Sequence, residues 1–333
     1  MQRMIFKCSL IRKKQCGFKP YRFFVSATLS IILGLLLLAP PLNLQAAPTE
    51  NKILIVHQKA HGFSQNLIEQ LQQAFSINGY QTGKMIIESE RLDLLKLKDQ
   101  QLIISIGSQA TKTLLEANIK TPILSVLIPR HISKSLQAAH PEKKNWSSLL
   151  IDQPIERQFH LITSILGPNK NTGILLGPYT KDLNKKINKA SVNTSHNINI
   201  EIIENSDQLT TSLKALNHSV DVLLTLPDPI VYNKNTIRGF LLLAYRNKQP
   251  IIGFSKAYVK AGAIAAIYSK PEQISKQILD IAKNFFTNGT FKHKNHYPEE
   301  FSVALNKNIA RSLGIKLESE KIIIKQIKKA GIK

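Results

Sequence analysis

The sequence predicts an α/β protein made of two doubly wound, parallel-sheet lobes. Short apolar runs alternate along the chain with segments of helical period, and this alternation occurs twice, before and after about residue 153. Strands joined by helices of this length form parallel sheets that are covered on both faces. A chain of 333 residues is also too long for a single small core, which favours two units.

The first half contains three strand-like runs, each short, apolar and β-branched. They are "KILIVH" (52–57), "LIISIG" (102–107) and "PILSVLI" (122–128). Residues 64–79 and 109–118 are predicted to be helices, the first because Leu67, Ile68, Leu71, Ala74 and Phe75 share one face. A loop is expected from the third strand to about Leu150, followed by a helix over 154–166.

The second half repeats the pattern with four strands at 171–177, 198–204, 220–226 and 250–254, and with helices near 181–193, 206–217 and 233–248. The C-terminal part departs from this rhythm: a short strand (261–269) and a helix (271–288) precede an isolated strand (300–306) and two basic helices. A strand this late indicates that the chain crosses back between the lobes.

Residues 1–46 are expected to be a secretory signal peptide. Seven basic residues and no acid lie in residues 1–22, a 17-residue apolar stretch follows to Ala39, and "LQAAP" (44–48) spans the end of the segment. Cleavage after Ala46 would place the protein in the periplasm. An uncleaved inner-membrane anchor is the alternative, because 17 apolar residues approach the length that spans a bilayer.

Cysteine and charge content exclude several classes of protein. Cys8 and Cys16 both precede the apolar stretch, so no cysteine is available for a lipid anchor, a disulfide or a thiolate site after residue 46. That part carries 38 basic against 22 acidic residues. The bases are scattered rather than interleaved with aromatic residues, which favours a basic solvated surface over a nucleic-acid site.

Candidate site residues come from the ends of the predicted strands, because open parallel sheets bind ligands beyond the carboxyl ends of their strands. Ser64, Ser108 and Gln109 could cap helices or bind an anion at the same N–H groups. Arg130 could be a solvated loop residue or a ligand contact. The candidates are Ser64, Ser108, Gln109, Arg130, Tyr179, Thr180, Asp228, Ser255 and Lys256.

Asp228 is the most specific of these candidates because it lies between Pro227 and Pro229. Proline fixes its own φ and restricts the residue before it, so the corner is rigid. A carboxylate held there is predicted to contact the ligand rather than merely to end a strand.

Catalysis has no support in the sequence. The pairs His57/His61 and His293/His296 lack the further ligands that a metal site needs, so neither a metal nor another cofactor is expected. No phosphate-binding, nucleophile-elbow or zinc-protease motif is present. The chain is therefore expected not to be an enzyme.

Two stretches resemble the ABC-transporter substrate-binding family with the type I periplasmic-binding-protein fold. The first is "IDQPIERQFHLITSILGPNKNTGILLGP" (151–178). The second, within 221–317, combines "DVLLTLPDP", "PIIGFSKAYVKAGAIAAI", "NFFTNGTF" and "YPEEFSVALNKNIARSLGIKL". "ISIGSQAT" (104–111) and "TPILSVLIP" (121–129) are more loosely similar to the family's first lobe.

The resemblance implies two lobes joined by three crossovers that close on a small solute, with an ABC permease as partner. We expect 48–153 plus 271–296 in the first lobe and 154–270 plus 297–330 in the second. The cleft would be lined by the candidates named above, and the ligand could be an amino acid. A monomer that binds no nucleic acid is expected. A ligand-sensing module of the same fold, partnered with a receptor or sensor, is the alternative function.

Overall fold

The computed structural model describes residues 51–87, 93–216 and 219–331. The predicted signal segment, residues 1–46, lies outside these ranges. Within them, no helix is long and apolar enough to cross a membrane.

The first part of the chain alternates strands and helices up to residue 150. Its elements are β1 (Lys52–His57), α1 (Phe63–Ile77), β2 (Gln81–Ile86), α2 (Leu94–Lys98), β3 (Leu102–Ile106), α3 (Ser108–Glu116), β4 (Ile123–Ile128), α4 (Arg130–Ala139) and β5 (Trp146–Leu150).

The second part continues the alternation and ends in two helices. Its elements are α5 (Ile155–Leu166), β6 (Asn171–Leu176), α6 (Asn184–Asn193), β7 (Asn197–Ile202), α7 (Leu209–Leu216), β8 (Val222–Leu224), α8 (Ile237–Arg246), β9 (Ile251–Gly253), α9 (Lys256–Ala261), β10 (Ala265–Tyr268), α10 (Pro271–Asn288), β11 (Asn295–His296), β12 (Ser302–Leu305), α11 (Lys307–Ser312) and α12 (Glu320–Lys329). Single 3₁₀ turns at Lys181–Leu183 and Ser206–Gln208 precede α6 and α7.

The strands of the described ranges form two six-stranded sheets. The first has the order β11-β5-β4-β3-β1-β2 and the second the order β12-β10-β9-β8-β6-β7. All pairs are parallel except β10 with β12, where Ala266 lies opposite Ala304. The predicted fold class, two parallel α/β lobes, is therefore confirmed.

The chain passes between the sheets three times. It leaves the first sheet after β5, returns after β10 and leaves again after β11. We call residues 151–154, 269–270 and 297–301 the three crossovers. Although α10 follows the second sheet in sequence, Ile274, Ile278 and Phe285 of this helix share a core with Phe75 of α1 and with the first sheet.

Helices cover both faces of the second sheet. Phe159 and Ile162 of α5, Ile187 of α6 and Ile323 of α12 pack with the strands on one face. On the opposite face, α7 and α8 contribute Leu213 and Phe240 to a separate core. This burial anchors α5, which begins directly after the first crossover.

Several elements differ from the sequence prediction. The expected loop before residue 150 contains α4 and β5, so Arg130 begins a helix. Strand β2 (Gln81–Ile86) was not predicted, and β8 spans only Val222–Leu224 of the predicted run 220–226. Helix α4 was missed because it is largely polar, and β2 because it lies at a sheet edge, where residues need not be apolar.

Candidate ligand-binding site

A cavity of about 460 Å³ lies at the carboxyl ends of strands from both sheets. Pro129 and Arg130 reach it from the first sheet, and Leu226 and Phe254 reach it from the second. The crossovers supply its back wall through Asp152, Ser269 and Tyr297, among others. A volume of this size suits a small organic molecule.

Apolar side chains form most of the cavity wall. Four aromatic rings line it, together with aliphatic residues and two prolines: Phe63, Phe254, Tyr268, Tyr297, Ile151, Ile155, Leu183, Leu226, Pro129 and Pro227. The polar side chains of the wall are few: Arg130, Asp152, Gln153, Gln158, Ser255, Lys256 and Ser269. Such a wall binds an apolar body and uses a small number of polar groups to orient it.

Charges of both signs border the cavity. The backbone N–H of Arg130 donates to Asp152 Oδ2 at 2.7 Å, which caps the first turn of α4. Burial raises the pKa of Asp152, while Arg130 opposes that shift. Lys256 extends over the ring of Tyr268, with its Nζ 5.8 Å from the ring centroid. The wall therefore offers cations and one carboxylate, a set that can hold a zwitterion or a carboxylate.

The guanidinium of Arg130 also joins the two lobes. It donates to both carboxylate oxygens of Asp182, one of them at 3.1 Å, and Lys134 Nζ lies 2.7 Å from Asp182 Oδ2. We call these three residues the lip cluster. The hydrogen bond from Arg130 is the main reason why the pKa of Asp182 falls to about 2.

Buried hydrogen bonds connect the three crossovers behind the cavity. Gln153 Nε2 donates to Ser269 Oγ at 3.0 Å, and Ser269 Oγ donates to the carbonyl of Glu300 at 2.7 Å. Arg157 donates to Gln153 Oε1 at 2.6 Å and to the carbonyls of Pro298 and Glu299 at 3.0 and 3.2 Å. We call Gln153, Arg157, Ser269 and these carbonyls the crossover cluster.

Three of the nine residues predicted from the sequence line the cavity: Arg130, Ser255 and Lys256. Ser64 instead exchanges hydrogen bonds with the backbone of His61, beside the cavity residue Phe63. Ser108 and Gln109 lie in the first turn of α3, away from the cavity wall.

The Asp228 carboxylate has a different environment from the predicted one. It is 1% exposed and accepts hydrogen bonds from Tyr179 N, Thr180 Oγ1 and Ile230 N, each at 3.0 Å. A Cβ at Gly177 would lie 2.6 Å from it, so only glycine allows this approach. The corner reaches the cavity through Leu226 and Pro227, while the carboxylate holds the loop at 177–180 inside the second lobe.

Tyr179 contacts the other lobe rather than the cavity wall. Its ring is 44% exposed and lies 4.8 Å from the imidazole of His131, between centroids, at an angle of 49°. Thr180 is buried against Asp228. Thr180 therefore stabilises the loop beside the site, and Tyr179 takes part in the contact between the lobes.

The sequence-based candidates did not include the crossover residues. Asp152, Gln153 and Gln158 lie in the segment "DQPIERQ", within a stretch that resembles a known family. The signal that could have identified them is the position of this segment, after a strand and at the start of a helix. Among the described residues no group of three or more His, Cys, Asp or Glu could hold a metal ion.

Comparison with known proteins identifies the family. The sequence model described as ABC transporter substrate binding protein matches residues 67–329. The chain belongs to this family. The match confirms the resemblance found in the sequence. Membership of this family supports a ligand-binding role for the protein. No curated protein is similar enough to match the chain.

Solved structures with the same fold are distant in sequence. One is the ABC domain from Streptococcus pneumonia in complex with L-Trp (TM-score 0.55, 16% identity, covering 84% of this chain and 98% of that one). Another is a conserved domain protein from Vibrio cholerae (0.57, 18%, 83% and 98%). A third is the ligand-free, open structure of a substrate-binding protein with adhesive properties from Clostridium difficile (0.62, 16%, 81% and 97%).

Proposed function

We propose that this family member captures a small solute in the interlobe cavity and delivers it to an ABC permease. The observation that carries the proposal is the cavity itself, which is built by strand ends of both sheets and lined by apolar side chains with a few polar groups. In this arrangement a ligand touches both lobes, so that binding can favour their approach.

The ligand is proposed to have an apolar body with a carboxylate or an amino-acid head. Arg130 and Lys256 suit a carboxylate, and Asp152 is the acid that could accept an ammonium. Aromatic amino acids are the first probes because the wall contains four aromatic rings and a structural relative holds L-Trp. The protein is proposed to be a binding protein without catalytic activity and to act as a monomer.

A thermal-shift screen of residues 47–333 against amino acids and small aromatic carboxylates tests the proposal. A ligand at 100 times its dissociation constant adds about 2.7 kcal/mol to the free energy of unfolding. Ala257→Trp places an indole in the cavity and should abolish the shift, whereas Ala139→Trp, on the exposed end of α4, should not. Wild-type protein that responds to none of these solutes would contradict the proposal.

The periplasmic location and the lobe boundaries complete the proposal. We propose cleavage after residue 46, a first lobe of 48–153 plus 271–296, and a second lobe of 154–270 plus 297–330. N-terminal sequencing of the exported protein tests the cleavage. Uptake of the identified solute that requires both this protein and a permease would support transport, whereas binding without uptake would favour the sensing alternative.

A further inference from the structure

The hydroxyl group of Tyr297 is accessible and has no partner within the described part of the chain. Tyr297 is the first residue of the third crossover, lines the cavity and is half-buried. Its Oη has no hydrogen-bond partner among the described residues, and it is not one of the unpaired side-chain atoms that the protein encloses completely. A molecule as small as water therefore reaches this hydroxyl, although a partly buried tyrosine normally has a hydrogen-bond partner.

The backbone of Tyr297 is held from both lobes. Gln277 of α10 donates to the carbonyl of Tyr297 at 2.9 Å and accepts from the backbone N–H of Glu299 at 3.0 Å. Arg157 of α5 donates to the carbonyls of Pro298 and Glu299. Because α10 packs on the first sheet and α5 on the second, the crossover keeps Tyr297 in a fixed place between the lobes. A residue held in this way binds a ligand at little cost in ordering.

Charged groups of the cavity wall lie close to the Tyr297 hydroxyl. Burial raises the pKa of this hydroxyl above its ordinary value, while Arg130 lowers that pKa and Asp152 raises it. Both Arg130 and Asp152 line the cavity. Since the hydroxyl keeps its proton at neutral pH, it can donate a hydrogen bond, and the strongest acceptor for it is an anion placed beside Arg130.

The other tyrosine of the cavity wall, Tyr268, has different neighbours. Burial also raises the pKa of Tyr268, but the charged groups that act on that pKa are Glu320 and Glu272, and neither of them lines the cavity. Its ring instead lies beneath the ammonium of Lys256. Of the two tyrosines, Tyr297 is therefore the one that presents a hydroxyl beside a cation of the cavity wall.

We propose that Tyr297 is a specificity-determining residue whose hydroxyl donates a hydrogen bond to the carboxylate of the ligand. The inference rests on the proposed function, since it assigns a contact within the same cavity. It places the carboxylate at the third crossover, beside Arg130, and it narrows the ligand class to small carboxylates with an apolar body. A ligand bound in this way contacts a segment that joins the two lobes.

The contact should discriminate between ligands with and without a carboxylate. A hydrogen bond to a charged acceptor is stronger than one between neutral groups. Its loss should weaken the binding of a carboxylate by about ten- to hundredfold in dissociation constant. A ligand without the carboxylate gains nothing from this hydroxyl, so its affinity should not depend on it.

Isothermal titration with matched probes tests the proposal. The first set is L-tryptophan, indole-3-propionate, which lacks the amine, and tryptamine, which lacks the carboxylate; L-phenylalanine, 3-phenylpropionate and phenethylamine form the second. Tyr297→Phe keeps the ring, and in the set that binds it should weaken both carboxylates by at least about tenfold and the amine by less than about twofold. No loss for the carboxylates, or an equal loss for the amine, would overturn the proposal.

Tyr258→Phe is the matched control. The ring of Tyr258 packs on Phe254, a residue of the cavity wall, with 4.2 Å between centroids, but Tyr258 does not itself line the cavity. The same removal of a hydroxyl should therefore leave the affinity for every probe within about twofold of wild type. An equal loss in the two variants would show that the Tyr297 hydroxyl has no specific role, and the proposal would be wrong.

The ligand-free protein distinguishes a ligand contact from a structural role. Because the Tyr297 hydroxyl has no partner among the described residues, Tyr297→Phe should change the melting temperature by less than about 2 °C. A larger decrease would show that the hydroxyl stabilises the fold, and would also overturn the inference.

The two proposals fail in distinguishable ways. If no small solute stabilises wild-type protein, the proposed function fails and the contact assigned to Tyr297 fails with it. If a solute binds, is excluded by Ala257→Trp, and is bound equally well by wild type and Tyr297→Phe, only the role of Tyr297 fails.

Discussion

The crossover cluster and the lip cluster border the same cavity but differ in burial and in chemistry. Arg157 is fully buried, and its guanidinium donates to one side-chain amide and two backbone carbonyls. Arg130 pairs instead with a carboxylate that is 37% exposed, beside a lysine that is 66% exposed. One cluster is part of the folded interior, while the other is an ion pair in contact with water.

Because of this difference, the two clusters are expected to affect different properties: the free energy of unfolding and the closing of the lobes on a ligand. A buried polar cluster is costly to disturb because its groups cannot turn to water, whereas an exposed ion pair contributes little to the free energy of unfolding. The lip cluster, however, joins α4 of the first lobe to the turn after β6 in the second. We therefore expect substitutions in the crossover cluster to change stability and substitutions in the lip cluster to change ligand affinity.

The largest expected effect is that of Arg157→Ala. The substitution removes the donors to Pro298 and Glu299 and the contact of the guanidinium with the Phe301 ring, 4.4 Å from its centroid. We expect a loss of about 3–5 kcal/mol in the free energy of unfolding, measured in urea. Arg157→Lys keeps a charge but not the planar donor geometry, and should fall between alanine and wild type.

A loss below about 1 kcal/mol for Arg157→Ala would mean that the buried cluster is no more important than a surface contact. The claim that the crossover cluster stabilises the fold more than the lip cluster would then be wrong.

The second prediction concerns Asp228, which the structure places in the interior of the second lobe. Asp228→Ala leaves the donors Tyr179 N, Thr180 Oγ1 and Ile230 N without their acceptor, and should cost about 2–4 kcal/mol in the free energy of unfolding. Asp221→Ala is the matched control, because this exposed carboxylate accepts one backbone hydrogen bond, from Asn171. It should cost less than about 1 kcal/mol.

The opposite result would restore the role predicted from the sequence. If Asp228→Ala unfolds like wild type but binds the solute at least about tenfold more weakly, its carboxylate contacts the ligand.

The third prediction breaks the lip cluster. Asp182→Asn removes the charge that pairs with Arg130 and Lys134, so it should weaken solute binding about two- to fivefold with little change in melting temperature. Glu204→Gln is the control, because it removes an exposed pair, with Lys181, inside one lobe. Equal affinity for wild type and Asp182→Asn would show that closure does not depend on the lip cluster.

The pH dependence of binding sharpens the same test. Since Arg130 holds the pKa of Asp182 at about 2, below the ordinary value of 3.8, the carboxylate stays charged at any pH above about 4. The contribution of the lip cluster to ligand binding should therefore be complete above about pH 4, and it should disappear as the pH falls through about 2. The ratio of affinities between wild type and Asp182→Asn should therefore be constant from pH 7 to 5.

The sequence was sufficient to predict the architecture because the buried strands are apolar throughout. "KILIVH" and "LIISIG" became β1 and β3, the crossing back of the chain was visible in the late strand, and both follow from burial on two faces. The polar elements were missed for the same physical reason. In α4, Ser133 is buried through hydrogen bonds with Ser148 and Asn295, a tertiary contact that no local pattern shows.

The site was predicted only in part because strand ends reveal position but not the direction of a side chain. Arg130, Ser255 and Lys256 follow strands and do reach the cavity. Asp228 also follows a strand, but its carboxylate turns to the loop at 177–180, where backbone donors compete successfully for it. Gln158 lies on a helix, so the strand-end rule could not identify it.

The smallest expected effect is that of substituting Tyr179. This test distinguishes a contact between the lobes from a contact with the ligand. The Tyr179 ring contacts His131 across the lobes, and burial lowers the pKa of that histidine, which favours the neutral imidazole at pH 7. Because the tyrosine is 44% exposed, Tyr179→Ala should weaken solute binding by only about twofold. Tyr179→Phe keeps the ring and should bind like wild type in the same titration. If Tyr179→Phe instead loses as much affinity as Tyr179→Ala, the hydroxyl group contacts the ligand, and Tyr179 belongs to the binding site as the sequence predicted.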